Sequence, residues 1–393
     1  MARSRICLTI VVVAFTVLAV KTARSDPPDA FTALPAAGAN AHIEPMVLEG
    51  EQEGSGTANV SPGPTSPPDG QSNTWVGSTA ACDSDTCAGK WVGGADFLLV
   101  RAHFSEATAY VKGTQGAASL DVTAQPLDFT YTPSFRMFAG YQFAGTQTEF
   151  RFTYTRLTSD AENSLANPGP GHFAVDPFGN VVGTVVVVDP DSARFGQPIV
   201  GGNRIAADAA AHVNIFDLDL IRPLVFSCGQ WEWKYSAGVR IADVHQSYDS
   251  AIYQSGAFFS GGDYIASFTG AGPRLGLQVQ RQFGELHQFS IFADSAASLL
   301  VGEYEMNFAQ VTTAPPFQAG QTTDEVRLLP VAEIEVGAGW SPVSWMNLSA
   351  GWLFQAWFDL GGSGGNFGNF YTVTENSNIM AFEGLFLRAE ARF

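Results

Sequence analysis

From residue 91 to the end of the chain, apolar and polar residues alternate with a period of two. In residues 231–242, for example, Trp231 and Trp233 share one face, whereas Glu232 and Lys234 share the other. A period of two is typical of a β-strand with two unlike sides. Charged residues opposite a clean apolar face suit a strand that has lipid on one side and a polar lumen on the other. The pattern therefore predicts transmembrane β-strands.

Ten runs of this kind follow one another along the chain. Each is at least about eleven residues long, which exceeds the five or six residues of a usual soluble strand and matches a tilted membrane crossing. Long and short connections alternate between the runs, as in an up-and-down barrel with long extracellular loops and short periplasmic turns. The runs are residues 91–103, 129–141, 146–157, 211–226, 231–242, 265–283, 289–304, 326–340, 347–359 and 379–393.

The predicted fold class is therefore all-β, an antiparallel up-and-down transmembrane barrel of 10 to 12 strands over residues 91–393. The upper limit depends on residues 181–188, a β-prone stretch inside the longest connection. These residues either add a hairpin to the barrel or fold inward as a constriction. The last run ends on Phe393, which resembles the terminal signature by which the barrel-assembly machinery recognises outer-membrane barrels.

The N-terminal 90 residues have a different texture. Arg3 and Arg5 precede an apolar run, residues 6–20, and small residues lead to an expected cleavage site near Ser25. These are the features of a secretory signal peptide, and the run is too short to span a bilayer comfortably. Residues 26–90 are rich in Pro, Gly, Ser and Thr and lack the apolar residues that would offset the entropy of ordering. We expect a signal peptide over 1–25 and a disordered periplasmic segment over 26–90.

Charge and cysteine content limit the classes of partner and cofactor that the chain could bind. The signal peptide carries four basic residues and no acid, so the mature chain has a net charge of −18 − 4 = −22. Such a chain does not bind nucleic acid non-specifically. Cys82 and Cys87 lie close together in a polar segment, and we expect a local disulfide between them in an oxidising periplasm. No zinc-binding spacing accompanies them, and we expect no cofactor.

Charged residues recur on the faces that the barrel would turn inward. Their signs are nearly balanced, so in a narrow barrel they would pair across the lumen, whereas in a wider one they would line a wet channel. Both alternatives stay open. Acidic loops favour a mild cation preference. The candidate lumen-lining residues are Arg136, Glu149, Arg151, Asp217, Asp219, Glu232, Lys234, Arg240, Arg274, Asp294, Arg327, Glu333, Glu335, Arg388, Glu390 and Arg392.

Catalytic motifs do not stand out. None of the six histidines has a serine or aspartate partner at a recognisable motif spacing. The glycine-rich residues 270–272 lie within a predicted strand and not between a strand and a helix, so they do not predict a nucleotide-binding loop. We therefore expect no enzymatic activity.

Five short segments, taken in their order along the chain, carry a family resemblance. They are residues 91–98 (WVGGADFL), 217–219 (DLD), 237–240 (AGVR), 268–277 (FTGAGPRLGL) and 298–302 (SLLVG). Together they resemble the Legionella-type pore-forming outer-membrane protein family, which is similar to the major outer membrane protein porins, over roughly residues 91–393. The resemblance implies a β-barrel porin of the outer membrane and supplies no catalytic residues.

The expected function is passive diffusion of small hydrophilic solutes or ions through an outer-membrane porin. The alternative is a non-conducting structural barrel whose long loops act in surface adhesion or ligand binding. Expected partners are outer-membrane lipid and lipopolysaccharide, the barrel-assembly machinery through Phe393, and the solutes or ions themselves. Assembly into a homo-oligomer stays open.

Overall fold

A computed structural model describes the C-terminal part of the chain. The described residues are 89–104, 108–115, 120–166, 168–169, 171–186, 198–224, 231–284, 288–313, 316–360 and 379–393. The expected signal peptide, nearly all of the expected disordered segment, and Cys82 and Cys87 lie outside these residues. Within them, no helix is long and apolar enough to cross a membrane.

The regular secondary structure of the described residues is β-strand. In chain order the strands are β1 Lys90–Phe104, β2 Thr108–Gln115, β3 Leu120–Pro126, β4 Thr132–Gln142, β5 Glu149–Ala166, β6 His172–Val175, β7 Val181–Val186, β8 Pro198–Val200, β9 Arg204–Leu224, β10 Trp231–Gln254, β11 Ala257–Phe283, β12 Phe289–Thr313, β13 Pro316–Val343, β14 Met346–Trp357 and β15 Met380–Arg392. Ten of them close into one antiparallel barrel of order β1-β15-β14-β13-β12-β11-β10-β9-β5-β4. The other five form a separate sheet of order β3-β2-β6-β7-β8, called here the cap sheet.

The pairing register fixes the width of the barrel. Starting at Asp96, each residue can be followed to its register partner on the next strand, round the barrel in either direction. The path that begins with β4 arrives at Arg327 on β13, and the path that begins with β15 arrives at Gly339 on the same strand. The two ends of this path are offset by 339 − 327 = 12 residues. Such a stagger tilts the strands by about 35–45° from the barrel axis. Ten strands make a barrel only slightly wider than the eight-stranded kind, whose interior is just filled by side chains.

The expected barrel is confirmed, at the lower limit of the predicted strand number. Residues 181–186 do not extend it, because β7 pairs with β6 and β8 in the cap sheet. The prediction of a loop directly after residue 242 is wrong, because β10 continues to Gln254. The chain then turns back into β11 through Ser255 and Gly256, which have φ angles of 52° and 85°. The inward face of this stretch mixes apolar residues such as Val244 and Ile252 with polar ones such as Gln246 and Ser250, and this broken pattern masked the strand in the sequence.

The outer wall carries a continuous band of exposed apolar side chains, with at least one from each barrel strand. This is the belt that contact with lipid requires. The band includes Phe97, Met137, Phe152, Leu218, Val239, Leu275, Val301, Leu328, Trp352 and Leu387. At one end, which carries the short connections and is called here the turn end, exposed aromatic residues such as Trp91, Trp340 and Phe393 border the band.

At the opposite edge, outward positions become polar, as at Asp243 and Thr269. Beyond this edge β5 and β9 to β13 continue as a wall, called here the extension. Outward positions of the extension carry polar and acidic residues, for example Asp208 and Asp249. The extension therefore has the surface of a wall in water and not of a wall in lipid.

Candidate functional site: the barrel interior

The interior of the barrel contains charged side chains in its turn-end half. They come from the positions that alternate with the lipid-facing ones, so Asp96 points inward between outward-facing Ala95 and Phe97. We call the central group the charged layer. Its four arginines and five carboxylates are Arg136, Arg240, Arg274, Arg388, Asp96, Asp217, Asp219, Glu333 and Glu335. Among the described residues, no group of His, Cys, Asp or Glu side chains is arranged to hold a metal ion.

One half of the charged layer is centred on Asp96, whose side chain has no exposed surface. Arg388 donates to both carboxylate oxygens of Asp96, at 2.9 and 2.8 Å, and to Glu335 at 2.7 Å. Arg136 donates to Asp96 at 3.3 Å, to Glu335, and through Nε to Thr155 Oγ1 at 3.1 Å. Two guanidinium groups are thus shared between two carboxylates. Such charge-assisted hydrogen bonds compensate the loss of hydration.

The other half is centred on Arg240, which is 2% exposed. Its Nε and Nη2 atoms donate to the two oxygens of Asp217, both at 2.7 Å, and Nη2 also donates to Glu333 at 2.9 Å. Arg274 donates to Asp219 at 2.7 Å. Glu333 connects the two halves, since its carboxylate also lies 3.7 Å from Nη2 of Arg136. The charged layer is therefore one network across the lumen.

Glycine makes room for this network. A Cβ atom on Gly238 would lie 2.4 Å from Asp219 Oδ1 and 2.1 Å from the carbonyl oxygen of Leu218. Both separations are far below van der Waals contact, and a backbone atom cannot move away cheaply. A residue without a side chain is therefore needed where Asp219 crosses the neighbouring strand.

Apolar side chains fill the lumen on the extension side of the charged layer. We call them the apolar layer, and each is at most 1% exposed. Nine of the ten barrel strands contribute to it, while β4 places Ser134, 5% exposed, next to Leu98. A side chain that is at most 1% exposed has almost no contact with water, so the lumen is dry at these nine positions. The members are Leu98, Leu157, Ile215, Ala242, Phe268, Leu300, Leu329, Leu353 and Phe386.

The sequence did not reveal the apolar layer, although a signal was present. Residues 98–100 are consecutively apolar, as are residues 299–301. Such runs are typical of strands that are buried on both faces. Asp96 was also missed, although it lies within one of the segments that carry the family resemblance.

A polar cavity of about 230 Å³ opens at the turn end. Lys234 lies 3.1 Å from Glu232, and Arg392 lies 2.8 Å from Glu390. Amide side chains such as Asn347 complete its wall. These candidate residues therefore form short-range ion pairs around a cavity and do not join the charged layer.

The remaining candidates are distributed over several levels. Arg151 donates to Glu149 at 2.6 Å near the turn end. Asp294 is the register partner of Glu335. Arg327 lies on the other side of the apolar layer, with its guanidinium carbon 3.8 Å from the ring centroid of Tyr304. The candidate residues thus do not line a single continuous surface.

The cap sheet covers the interior within the extension. Its residues Ala109, Ala174 and Val182 pack with the inward-facing Ile205 and Ile252 of the barrel wall, and all five are fully buried. The described lumen is consequently filled at two levels, once by the apolar layer and once by the cap sheet.

A family model described as Legionella pneumophila major outer membrane protein precursor matches residues 86–393. No curated protein matches this chain. Among solved structures, the outer membrane protease OmpT from Escherichia coli is similar with a TM-score of 0.40 and 10% identity, over 78% of this chain and 98% of that one. The toluene transporter TbuX from Ralstonia pickettii is similar with a TM-score of 0.22 and 10% identity, over 78% of this chain and 89% of that one. Neither likeness bears on what this chain binds or catalyses.

Proposed function

This chain belongs to the family of the Legionella pneumophila major outer membrane protein, and on that premise we propose that it is a non-conducting outer-membrane barrel with a role in surface adhesion or ligand binding. The observation that carries the proposal is the apolar layer, in which nine strands place side chains that are at most 1% exposed across the lumen. An ion that crossed this layer would lose its hydration without gaining polar partners. The role proposed is not enzymatic.

The charged layer supports the same proposal. Lumen charges that line a wet channel would be hydrated and would carry their own counter-ions. Here Asp96 and Arg240 are buried, and each of them is hydrogen-bonded to groups of opposite charge. Such pairing is what a closed, narrow interior requires. The network therefore acts as internal packing that joins strands from opposite sides of the barrel.

A diffusion pore with a mild cation preference is the second candidate. The observation that favours it is the polar cavity at the turn end, which faces the periplasm in barrels of this kind. Conduction would require the apolar layer to separate and the cap sheet to move away. The two candidates therefore differ in whether the purified protein conducts at all.

Single-channel recording separates the two candidates. The mature protein, refolded and checked for heat-modifiable migration, is inserted into a planar bilayer with a salt gradient across it. We expect no discrete conductance steps from the wild type. Discrete steps would overturn the proposal in favour of a pore, and the sign of the reversal potential would then test the cation preference.

A matched variant controls for failed insertion. Substitution of Leu353→Ala together with Phe386→Ala removes two large side chains from neighbouring strands of the apolar layer. Such cavities lower stability, so the variant is checked for folding first. We expect sporadic conductance from the variant and none from the wild type at equal amounts of inserted protein.

We further propose that Phe393 contacts the barrel-assembly machinery. Its ring is 73% exposed at the turn end, and its backbone closes the β1 and β15 pairing through two hydrogen bonds of 2.9 Å with Trp91. Phe393→Ala keeps this backbone pairing. It should reduce the amount of barrel that reaches the outer membrane in cells without lowering the stability of the refolded protein.

A further inference from the structure

The connection between β6 and β7 is built around a buried carboxylate. Asp176 accepts hydrogen bonds from the backbone N–H of Asn180 at 2.7 Å, from Nδ2 of Asn180 at 2.8 Å, and from the hydroxyl of Ser250. Asn180 belongs to the same turn, whereas Ser250 belongs to β10 of the barrel wall. One carboxylate therefore both shapes the turn and fastens it to the extension.

The tip of the same turn is inserted into a socket in the barrel wall. The Phe178 ring lies 5.6 Å from the ring of Tyr248 on β10 and 5.3 Å from that of Phe308 on β12. A Cβ atom on Gly262 of β11 would lie 2.6 Å from the Phe178 ring, so this glycine supplies the space that the ring occupies. Gln310 donates to the Phe178 carbonyl oxygen at 3.1 Å. Three adjacent strands thus hold one side chain of the cap sheet.

We propose that residues 176–180 are a pH-sensitive latch, which holds the cap sheet on the extension more tightly in acidic medium than at neutral pH. The apolar surface around Ile205 and Ile252, which the cap sheet buries, is accessible when the latch opens. This inference does not depend on whether the lumen conducts.

The physical reason is that docking buries an acid without a cation. Among the described residues, no Lys, Arg or His forms an ion pair with Asp176. Burial raises the pKa of Asp176 from 3.8 to about 6, although its hydrogen bonds with Ser250 and Asn180 act in the opposite direction. The neighbouring titratable group on β10 is Tyr248, whose pKa burial and the charge of Asp176 raise well above 10.

The charged groups that act on Tyr248 and on its neighbour Asp249 are acidic as well. Asp208 on β9 and Asp249 on β10 both act on Tyr248, and Asp263 on β11 acts on Asp249. Gln310 on β12 is neutral. None of these groups offsets a negative charge on Asp176, and the phenol of Tyr248 stays neutral over the relevant pH range.

The direction of the pH dependence follows from the direction in which the pKa of Asp176 is shifted. A carboxyl whose pKa is higher when docked than when released favours docking while it is protonated. Docking is therefore strongest below about pH 4, weakens as pH rises toward 6, and is constant above that value. For these two pKa values the docking constant falls about tenfold between pH 5 and pH 7.5.

Hydrogen exchange measured by mass spectrometry tests the latch in the folded mature protein in lipid nanodiscs. Exchange in β6 and β7 is compared at pH 5 and pH 7.5 after correction for the intrinsic rate with an unstructured reference peptide. We expect protection of β6 and β7 to fall about tenfold on going to pH 7.5, while protection of the membrane-embedded part of β10 stays constant. Equal protection of β6 and β7 at both pH values would overturn the proposal.

Two variants locate the titrating group. Asp176→Asn stays neutral and should abolish the pH dependence, whereas Asp121→Asn, an exposed change on β3 of the same sheet, should leave it intact. Persistent pH dependence in Asp176→Asn would assign the effect to another group and overturn the latch.

Two further variants keep the test decisive if Asp176→Asn does not fold. Ser250→Ala removes a donor to the carboxylate, so the fall in protection should move to higher pH. Phe178→Ala empties the socket and should lower protection at both pH values while the dependence remains. A transition that does not move in Ser250→Ala would contradict the assignment.

Discussion

Replacing Asp96 by asparagine tests how dry the barrel interior is. In the wild type, three hydrogen bonds from Arg136 and Arg388 end on this carboxylate, and its side chain has no exposed surface. In Asp96→Asn, the two guanidinium groups share hydrogen bonds to one carboxylate, Glu335, and a second carboxylate, Glu333, lies 3.7 Å from Arg136. Loss of one partner from a buried ion pair costs about 3–5 kcal/mol, and the three hydrogen bonds, at about 1.5–3 kcal/mol each, set a higher upper limit. We therefore expect a loss of about 3–5 kcal/mol in the free energy of unfolding.

A water-filled lumen predicts a smaller loss in the free energy of unfolding. In a water-filled lumen the same ion pairs would be screened and hydrated, and the substitution would cost less than about 1 kcal/mol. The assay is reversible urea unfolding in lipid vesicles, followed by tryptophan fluorescence. Asp243→Asn is the matched control, because Asp243 is exposed on the outer wall and should lose less than about 1 kcal/mol. A loss below that value for Asp96→Asn would refute the closed interior.

The remaining predictions use the same assay. Gly238→Ala places a Cβ atom 2.1 Å from a backbone carbonyl oxygen. It should lower the free energy of unfolding by more than about 2 kcal/mol, since overpacking typically costs about 1–3 kcal/mol. The control Gly93→Ala, where the atom nearest to the new Cβ is 3.7 Å away, should cost far less. Leu275→Arg puts a charge on the lipid-facing band, where Leu275 is 65% exposed, and should cost about 2–4 kcal/mol. Thr269→Arg, at the polar edge of the same strand, should cost no more than about 1 kcal/mol, and equal losses for the two arginine variants would contradict the position of the band.

Strand positions were predictable where one face of a strand is apolar and the other is polar. The start of β10 at Trp231 and the end of β11 at Phe283 agree with the expected runs. Prediction failed beyond the lipid-facing band. There the inner side of the strand after position 242 mixes apolar residues such as Val244 with polar ones such as Gln246 and Ser250, and the outer side is bathed by water, so the period of two has little hydropathy contrast.

The interior was predictable only in part. Alternation placed Arg240, Glu333 and Arg388 on inward faces, but it did not indicate which charges meet, since the partners lie on strands far apart in the chain. The same alternation hid Leu98, because its neighbours on both sides are apolar. The periodicity of a sequence shows which residues lie on the same face of a strand. It does not show which side chains meet across the lumen.

The sequence by itself thus determined the fold class, the membrane-facing surface and the course of the strands through the lipid. These depend on contrasts between adjacent residues, which act locally on each strand. Only the tertiary structure decided that the barrel closes with ten strands, that the lumen contains paired charges beneath an apolar layer, and that Phe178 fastens the cap sheet to the wall. Each of these features depends on strand register and on side chains that meet across the barrel. Such contacts join residues far apart in the chain, so the local sequence pattern does not predict them.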